Sequence, residues 1–372
     1  MKVQELLTRF EQKAPFGTAE DWDPVGLLVG DPKKEITGVV VSVDLSRSSF
    51  DLAVKSDANV IVNHHPCIFP KQSGISRLVP GRSDDMTTLM FEAVQKGIQI
   101  IALHTNFDRC AMEVVQKITA ELGAKPVGRL VDSSTELLKL VIYVPETHIE
   151  KVRDAIHASG AGVIGNYDQC SFSVSGEGRF RGLDGSNPFL GKPGVTEKAK
   201  EVRLETVLPA GLKKQVLKAM HDTHPYEEVA YDLYALEQKI KDTAQAPGLG
   251  YGFVADLPAK IPFTEFTAKI KSTFEVQGFY STPAEPGSVK RIGYVPGKGS
   301  SFINNALSQG CDVFVTGEVG YHLATSMSCK GLTVIELGHR HSEIYFPRVV
   351  SEWCESFGLK THLEEAPTQK IW

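Results

Sequence analysis

Short apolar runs rich in β-branched residues alternate with longer amphipathic segments at both ends of this chain. Up to about residue 125, strands are predicted at 38–45, 59–66 and 98–105, and helices over 48–56, 84–96 and 108–122. Near the other end, strands are predicted at 291–295, 312–317 and 332–337, and helices over 300–310 and 343–357. Strands and helices alternating at this spacing predict βαβ units with a parallel sheet.

The middle of the chain follows a different pattern. A strand and a helix are predicted over 137–162, and a glycine-rich polar segment covers 175–195. Strand, helix and strand follow over 201–236, which is about the content of a ferredoxin-like βαββαβ unit. We therefore predict an α/β outer domain built from residues 1–126 and 245–372, with an inserted α+β domain at 127–244.

Composition narrows the class of protein. Hydrophobic residues make up 42% of the chain and charged residues 23%, so each domain can bury a core. The net charge of −5 argues against a role in coating nucleic acid or an anionic membrane. The charged N-terminus does not resemble a signal peptide, and no apolar window is long enough for a membrane span. Six scattered cysteines without a CxxC pair indicate reduced thiols, so we expect a cytoplasmic protein.

Polar residues follow two of the predicted buried strands near the N-terminus. His64 and His65 come at the end of one strand, directly before Pro66, and Asp108 lies just past the next. Because ligands bind at the carboxyl ends of strands in open α/β sheets, these side chains are candidate metal ligands. Each also has a structural interpretation: a histidine can be a satisfied core residue, and Asp108 can favour the first turn of a helix capped by Asn106.

A third group follows the predicted strand at 332–337. If the chain enters a helix there, His339 and Glu343 stand four residues apart on one face. If it stays extended, His339, His341 and Glu343 share a face instead. Gly338 favours the turn into a helix, so we prefer the His339 and Glu343 pair, with His341 outside the ligand set.

Together these groups offer three imidazoles and two carboxylates. Nitrogen and oxygen donors of this kind suit Zn, Mn, Fe or Co. Five ligands are too few to close two coordination spheres, so a dinuclear site would keep positions for water and for hydrolytic chemistry. The sequence contains neither GxSxG nor GxxxxGK[ST], so a serine hydrolase and a P-loop nucleotide site are not predicted.

Three weaker features remain. Lys298, in the glycine- and serine-rich segment 296–301, could help to bind a phosphate, although we favour a turn with a serine N-cap. Glu318 and His322, after the strand at 312–317, could support a ligand or act as a general base. The segment 224–228 (His-Pro-Tyr-Glu-Glu) could bind a ligand, but we favour a role in a turn and in packing.

Five dispersed blocks in this order resemble the NIF-three-like family, whose members are often catalogued as GTP cyclohydrolase 1 type 2 homologues. The residues that carry the resemblance are Trp22, Asp23, Gly26, Leu27, Val29 and Gly30; His64, His65, Pro66 and Phe69; His104, Thr105, Asn106 and Asp108; Thr316, Gly317 and Glu318; and Gly338, His339, Ser342 and Glu343. The middle segment is similar to the PII/CutA-like insert of the longer bacterial members.

The resemblance implies a metal centre and an assembly. It implies two divalent metal ions per chain, zinc first and Mn, Fe or Co as alternatives. The ligands at the matching positions are His64, His65, Asp108, His339 and Glu343. It also implies a toroidal homohexamer. Two positions depart from the family pattern, Pro24 and Arg340, and Arg340 could contact an anionic substrate.

Two functions stay open on the sequence. The first is a metal-dependent hydrolase of a nucleotide-like or other anionic small molecule, with Glu318 or His104 moving a proton; a cyclohydrolase would open a purine imidazole ring and release formate. The second is a non-enzymatic metal-loaded ring that binds a partner or an effector, with the insert as a regulatory module. The ring's partner could also be nucleic acid, although the net charge of −5 makes this the least supported choice, and no membrane role is expected.

Overall fold

The computed structural model describes residues 1–68, 79–132, 137–165, 167–237, 249–282 and 286–364. The chain forms two compact units, one of Met1–Val131 with Gly250–Trp372 and one of Asp132–Leu249. Phe69 and the predicted domain junction at 244–245 lie outside the described residues. Within the described ranges, no helix combines the length and apolar composition needed to cross a membrane.

The helices and strands are numbered in chain order. The helices are α1 (Val3–Lys13), α2 (Arg47–Lys55), α3 (Met86–Lys96), α4 (Thr105–Cys110), α5 (Met112–Leu122), α6 (Ile149–Ala158), α7 (Lys213–Thr223), α8 (Phe263–Thr273), α9 (Ile303–Ser308), α10 (Tyr321–Ser328), α11 (His339–Ser342) and α12 (Tyr345–Ser356). The strands are β1 (Gly26–Val29), β2 (Val39–Ser42), β3 (Val60–Asn63), β4 (Gln99–Ala102), β5 (Lys125–Gly128), β6 (Val131–Asp132), β7 (Leu137–Pro145), β8 (Ser171–Arg181), β9 (Thr196–Pro209), β10 (Tyr231–Ala235), β11 (Gly250–Tyr251), β12 (Phe253–Pro262), β13 (Tyr280–Ser281), β14 (Ser288–Tyr294), β15 (Val313–Thr316), β16 (Thr333–Glu336) and β17 (Thr361–Leu363).

The N-terminal part of the first unit is built on a five-stranded sheet in the order β1-β4-β3-β2-β17. Strands β17, β2, β3 and β4 run parallel, and β1 pairs antiparallel with β4 at the edge. Residues of β2 and β3 are fully buried because apolar side chains pack against both faces of the sheet. The parallel register aligns Asn63 with Ala102, so the chain leaves β3 and β4 side by side.

The C-terminal part of the same unit has its own six-stranded sheet, in the order β13-β16-β15-β14-β12-β5. Its three central strands, β14, β15 and β16, run parallel, and the outer strands pair antiparallel. The predicted βαβ pattern at both chain ends thus corresponds to two sheets within one unit. Each sheet delivers polar residues beyond the carboxyl ends of its parallel strands.

The prediction of one continuous helix over 108–122 is wrong. The structure has two helices, because the backbone of Ala111 adopts ψ 85° and ends α4 before α5 begins. Phe107 packs in the core beside the first sheet, whereas Ile118 and Leu122 pack in the core beside the second. The break lets two consecutive segments face different cores, which a continuous helix could not do.

The second unit has the element order strand, helix, strand, strand, helix, strand, from β7 to β10. Its four strands form an antiparallel sheet in the order β10-β7-β9-β8. Apolar residues of α6 and α7 pack on the sheet, including Ile156, Val216 and Met220 against Leu140 and Leu204. The glycine-rich segment predicted at 175–195 begins as part of strand β8, which is exposed and polar and therefore lacks a hydrophobic pattern.

Candidate metal centre

Strands β3 and β4 bring the N-terminal candidate residues together. His64 and His65 follow β3 directly, and His104 precedes α4, whose first turn contains Asp108. Nε2 of His64 lies 3.6 Å from Oδ1 of Asp108. Asn106 does not cap the helix through its side chain; it is fully buried and donates through Nδ2 to the carbonyl of Ala14 at 2.8 Å.

The second sheet supplies the remaining two candidates. Gly338, with φ +85°, turns the chain from β16 into α11, the helical arrangement that we preferred from the sequence. His339 and Glu343 then face each other, with Nε2 of His339 3.2 Å from Oε1 of Glu343. Glu343 also reaches the first sheet, 3.3 Å from Nε2 of His65 and 3.8 Å from Nε2 of His64.

We define the histidine–carboxylate site by the six residues that meet there: His64, His65, His104, Asp108, His339 and Glu343. Ring nitrogens of His64, His65 and His104 lie within 4.8 Å of one another, and a second group of the same spread joins His65, His339 and Glu343. The two groups share His65. The described part of the chain therefore offers two adjacent positions at which a cation could be held.

An oxygen atom orients each of the four imidazole rings through Nδ1. The Nδ1–O pairs are His64 with the carbonyl of Leu103 at 2.9 Å, His65 with Asp44 at 2.7 Å, His104 with Asp23 at 2.9 Å, and His339 with Glu318 at 3.3 Å. Partners of this kind fix the tautomer and the direction of a metal-binding imidazole. In His64, His65 and His339, Nε2 is the nitrogen that approaches the carboxylates of Asp108 and Glu343.

The spacing of the donor atoms fits a metal ion. Ligand atoms around a tetrahedral ion with bonds of about 2.0–2.1 Å lie about 3.3 Å apart. The contacts of Glu343 with His65 and His339 have such distances, and the buried Oε2 of Glu343 accepts no hydrogen bond from the described residues. The donor atoms therefore point at common positions instead of at each other, and the imidazole and carboxylate donors suit Zn, Mn, Fe or Co.

Burial sets the protonation of the site. Burial lowers the pKa of His64 to about 3, so this ring is neutral and can donate a lone pair. Burial raises the pKa of Asp108 to about 7, which disfavours its charge unless a cation is near. Burial also acts to raise the pKa of Glu343, but contacts with His339, His64 and His65 outweigh it and hold the pKa well below the usual value.

The other predicted residues are placed as follows. Glu318 orients His339, while Lys298 is exposed and forms a backbone bridge with Glu318 beside the site. Arg340 is tied to Glu364, with Nη2 2.7 Å from Oε2. His322 is exposed and contacts the ring of Tyr321.

The second unit contains the segment 224–228. His224 accepts a hydrogen bond from the backbone N–H of Tyr226, and its Nε2 lies 3.1 Å from the carbonyl of Tyr143. These bonds support the turn role that we favoured for His224.

Asp44 was not among the predicted site residues, although it follows the end of β2 just as His64 follows β3. The same strand-end signal could have found it. Gly297 was noticed only as part of the segment 296–301, and its place beside a ligand was not predicted: its φ is +63°, and a Cβ atom there would lie 2.6 Å from Oε1 of Glu343. The rings of Trp22 and His104 meet edge to face, with centroids 6.0 Å apart, and Trp22 is 46% exposed.

Comparison with known proteins extends over nearly the whole chain. A family model described as Duf34/NIF3 (NGG1p interacting factor 3) matches residues 1–366. A GTP cyclohydrolase 1 type 2 homolog from Bacillus subtilis (strain 168) is 35% identical over 372 residues, covering 98% of this chain and 96% of that protein. A protein of the same description from Staphylococcus aureus (strain MSSA476) is 30% identical, covering 100% and 95%. A crystal structure of a Bacillus cereus protein related to NIF3 matches with a TM-score of 0.70 at 31% identity, covering 100% of this chain and 99% of that one.

Proposed function

We propose, for a chain that belongs to the Duf34/NIF3 family, a metal-dependent hydrolase that acts on a nucleotide-like or other anionic small molecule. One observation carries the proposal: the donor atoms of the histidine–carboxylate site converge from two sheets, and an oxygen atom orients each imidazole. A site that only stabilised the fold would satisfy these donors with each other, as hydrogen bonds.

We assign five side chains as ligands of two divalent ions, with zinc as the preferred metal: His64, His65, Asp108, His339 and Glu343. Glu343 would contribute to both positions, because it contacts His64 and His65 from the first sheet as well as His339 from the second. Divalent ions held there would lower the pKa of water and polarise a substrate atom.

His104 is the residue that we propose to move the proton. Its Nδ1 lies 2.9 Å from Asp23, whose carboxylate also accepts a hydrogen bond from the backbone N–H of Thr105 at 3.0 Å. Burial acts to raise the pKa of Asp23, but the bonds with His104 and Thr105 hold the pKa below its usual value. Asp23 therefore stays charged and holds His104 so that Nε2 can accept a proton from attacking water and return it to a leaving nitrogen or oxygen.

The surroundings of the site support an anionic substrate with an aromatic ring. Lys298 is an exposed cation on the loop beside Glu318, and Trp22 offers a half-exposed ring next to His104. Lys298 could bind a phosphate group, and a heterocycle could stack on the ring of Trp22. Arg340 is a weaker candidate for substrate binding because Glu364 already pairs with it.

The test is turnover of a nucleotide panel by the zinc- or manganese-loaded protein. Released formate and released phosphate are measured separately, so that ring opening and phosphate-ester cleavage are distinguished. We expect His64→Ala to abolish turnover and His341→Ala, a histidine change on the same short helix as His339, to retain it. If no substrate in the panel is turned over, or if His64→Ala keeps full activity, the hydrolase proposal fails and a metal-loaded binding ring takes its place.

Two further parts of the proposal concern the whole assembly. The βαββαβ order of the second unit supports a PII/CutA-like insert that binds an effector.

We also propose a toroidal homohexamer. Native mass spectrometry of the full chain should then give a six-chain particle, and a monomer as the main species would contradict the ring.

A further inference from the structure

We propose that the second unit binds a small organic cation, an amine or guanidinium compound, in a cavity distant in sequence from the metal ligands. The cavity has a volume of about 270 Å³ and lies among the end of β8, β9, the loop after β8 and the turn before β10. We define this aromatic–acidic cavity by its three rings and three carboxylates: Phe180, Phe189, Tyr226, Glu201, Glu227 and Glu228.

The rings form one continuous wall. The ring centroid of Tyr226 lies 6.0 Å from that of Phe180 and 6.2 Å from that of Phe189. The planes are tilted to one another by 57° and 49°, so the rings surround a space instead of stacking to fill it. Aromatic faces attract cations through their quadrupole, most strongly where water is excluded.

The carboxylates give the cavity its negative charge. Glu201 accepts a hydrogen bond from the hydroxyl of Tyr226 at 2.8 Å, which holds the carboxylate against the aromatic wall. Glu227 accepts from the backbone N–H of Asn187 through both oxygens, at 3.0 and 3.2 Å. Within the described residues, no lysine or arginine forms an ion pair with Glu201, Glu227 or Glu228.

Two arginines, Arg179 and Arg181, also line the cavity. Because successive residues of a strand alternate between its faces, their side chains leave β8 on the face opposite Phe180. On that face, Nε of Arg179 lies 2.9 Å from Glu177. Because Arg179 is paired with Glu177, the cavity is lined by three carboxylates against one other arginine, Arg181, which favours a cation over a nucleotide or another anion.

Glycines make room for this arrangement. A Cβ atom at Gly178 would lie 2.0 Å from Oε2 of Glu201, and one at Gly191 would lie 2.1 Å from Cγ of Glu197. Gly178 lets Glu201 lie across β8, and Gly191 lets the loop after β8 close over the same face.

The experiment is isothermal titration calorimetry on the full-length protein at constant ionic strength. The probes are choline, agmatine and spermidine as cations, and ATP as the anionic comparison. Glu201→Gln removes the charge but keeps an oxygen for Tyr226, and Phe189→Ala removes a ring that is 46% exposed and contributes little to the core. Glu177→Gln, an equal charge change on the opposite face of β8, is the matched control.

We expect at least one cation to bind with a one-to-one stoichiometry. Glu201→Gln and Phe189→Ala should each weaken that binding on the order of tenfold. Glu177→Gln should change it by less than about twofold. The proposal would be overturned if ATP but no cation bound, if no cation gave binding heat, or if Glu177→Gln weakened cation binding as much as Glu201→Gln does. If Glu201→Gln lowers the thermal unfolding midpoint, Phe189→Ala decides the question alone.

Discussion

Nδ1 of His65 lies 2.7 Å from Oδ1 of Asp44, which follows the strand next to the one that delivers the histidine. The pair fixes the ring so that Nε2 points toward Glu343. Burial acts to lower the pKa of His65, but the interactions with Asp44 and Glu343 outweigh it and raise the pKa to about 10. A proton would therefore hold this position at neutral pH unless a metal ion displaced it.

Asp44→Ala should weaken metal binding without removing a ligand. Because the partner of a metal-binding imidazole fixes its direction, we expect the affinity to fall about 10- to 100-fold. Competition with a fluorescent zinc chelator measures the change. Asp51→Ala, an exposed aspartate on α2 that pairs with Arg47, is the control and should leave the affinity unchanged; equal effects in both variants would contradict a role for Asp44.

Gly297→Ala should damage the site more than the same substitution does at another glycine in the left-handed region. Its added methyl would lie 2.6 Å from Oε1 of Glu343, in addition to a backbone cost of about 1–2 kcal/mol for a side chain at φ +63°. Gly310 has φ +68° with no atom within 4 Å of such a methyl, so Gly310→Ala carries the backbone cost alone. Metal content should fall in the first variant only, and unfolding free energies should show a larger loss there.

His104→Gln should separate proton transfer from metal binding. If His104 moves a proton, the variant keeps its metal and loses about 10²- to 10⁴-fold in turnover of the substrate found by the nucleotide panel. Asp23→Asn should shift turnover in the same direction, because it removes the charge that orients the ring. A fall in metal content in His104→Gln would instead make His104 a sixth ligand, which the spacing of the ring nitrogens also permits.

Acid should destabilise the second unit through His224. Burial lowers the pKa of this histidine, and its Nδ1 accepts the N–H of Tyr226, so the folded state requires the neutral ring. The stability that it contributes is present above the unfolded-state pKa of 6.5 and is lost as the pH falls below that value. Between pH 7.5 and 5.0, the thermal unfolding midpoint should fall less for His224→Gln than for the wild type. Parallel plots of the midpoint against pH would contradict this.

The residues of the site could be predicted from the sequence, whereas most of the contacts that hold them in place could not. His64, His65 and Asp108 were found because parallel neighbouring strands end at one edge, and the register of Asn63 with Ala102 provides that edge. Asp23 was noticed only within the family resemblance. Its contact with His104 spans 81 residues of sequence, and no local pattern shows which loops will meet.

Two elements show why the fold was only partly predictable. The hydrophobic period of α5 continues past its start, so nothing local marks the break at Ala111; the break follows from the two cores on which α4 and α5 pack. Strand β8 is exposed along most of its length and contains glycine, so it lacks the apolar alternation of a half-buried strand. The family membership was the most secure prediction, and the matches over the whole chain confirm it.

The most direct test of the metal centre is metal content per chain, measured by elemental mass spectrometry on untagged protein purified without added metal. We predict close to two equivalents of a transition metal in the wild type and in His341→Ala, and a sharp fall in Asp108→Ala. Retention of the wild-type content in Asp108→Ala, or less than a tenth of an equivalent in the wild type even after reconstitution with zinc or manganese, would contradict the account.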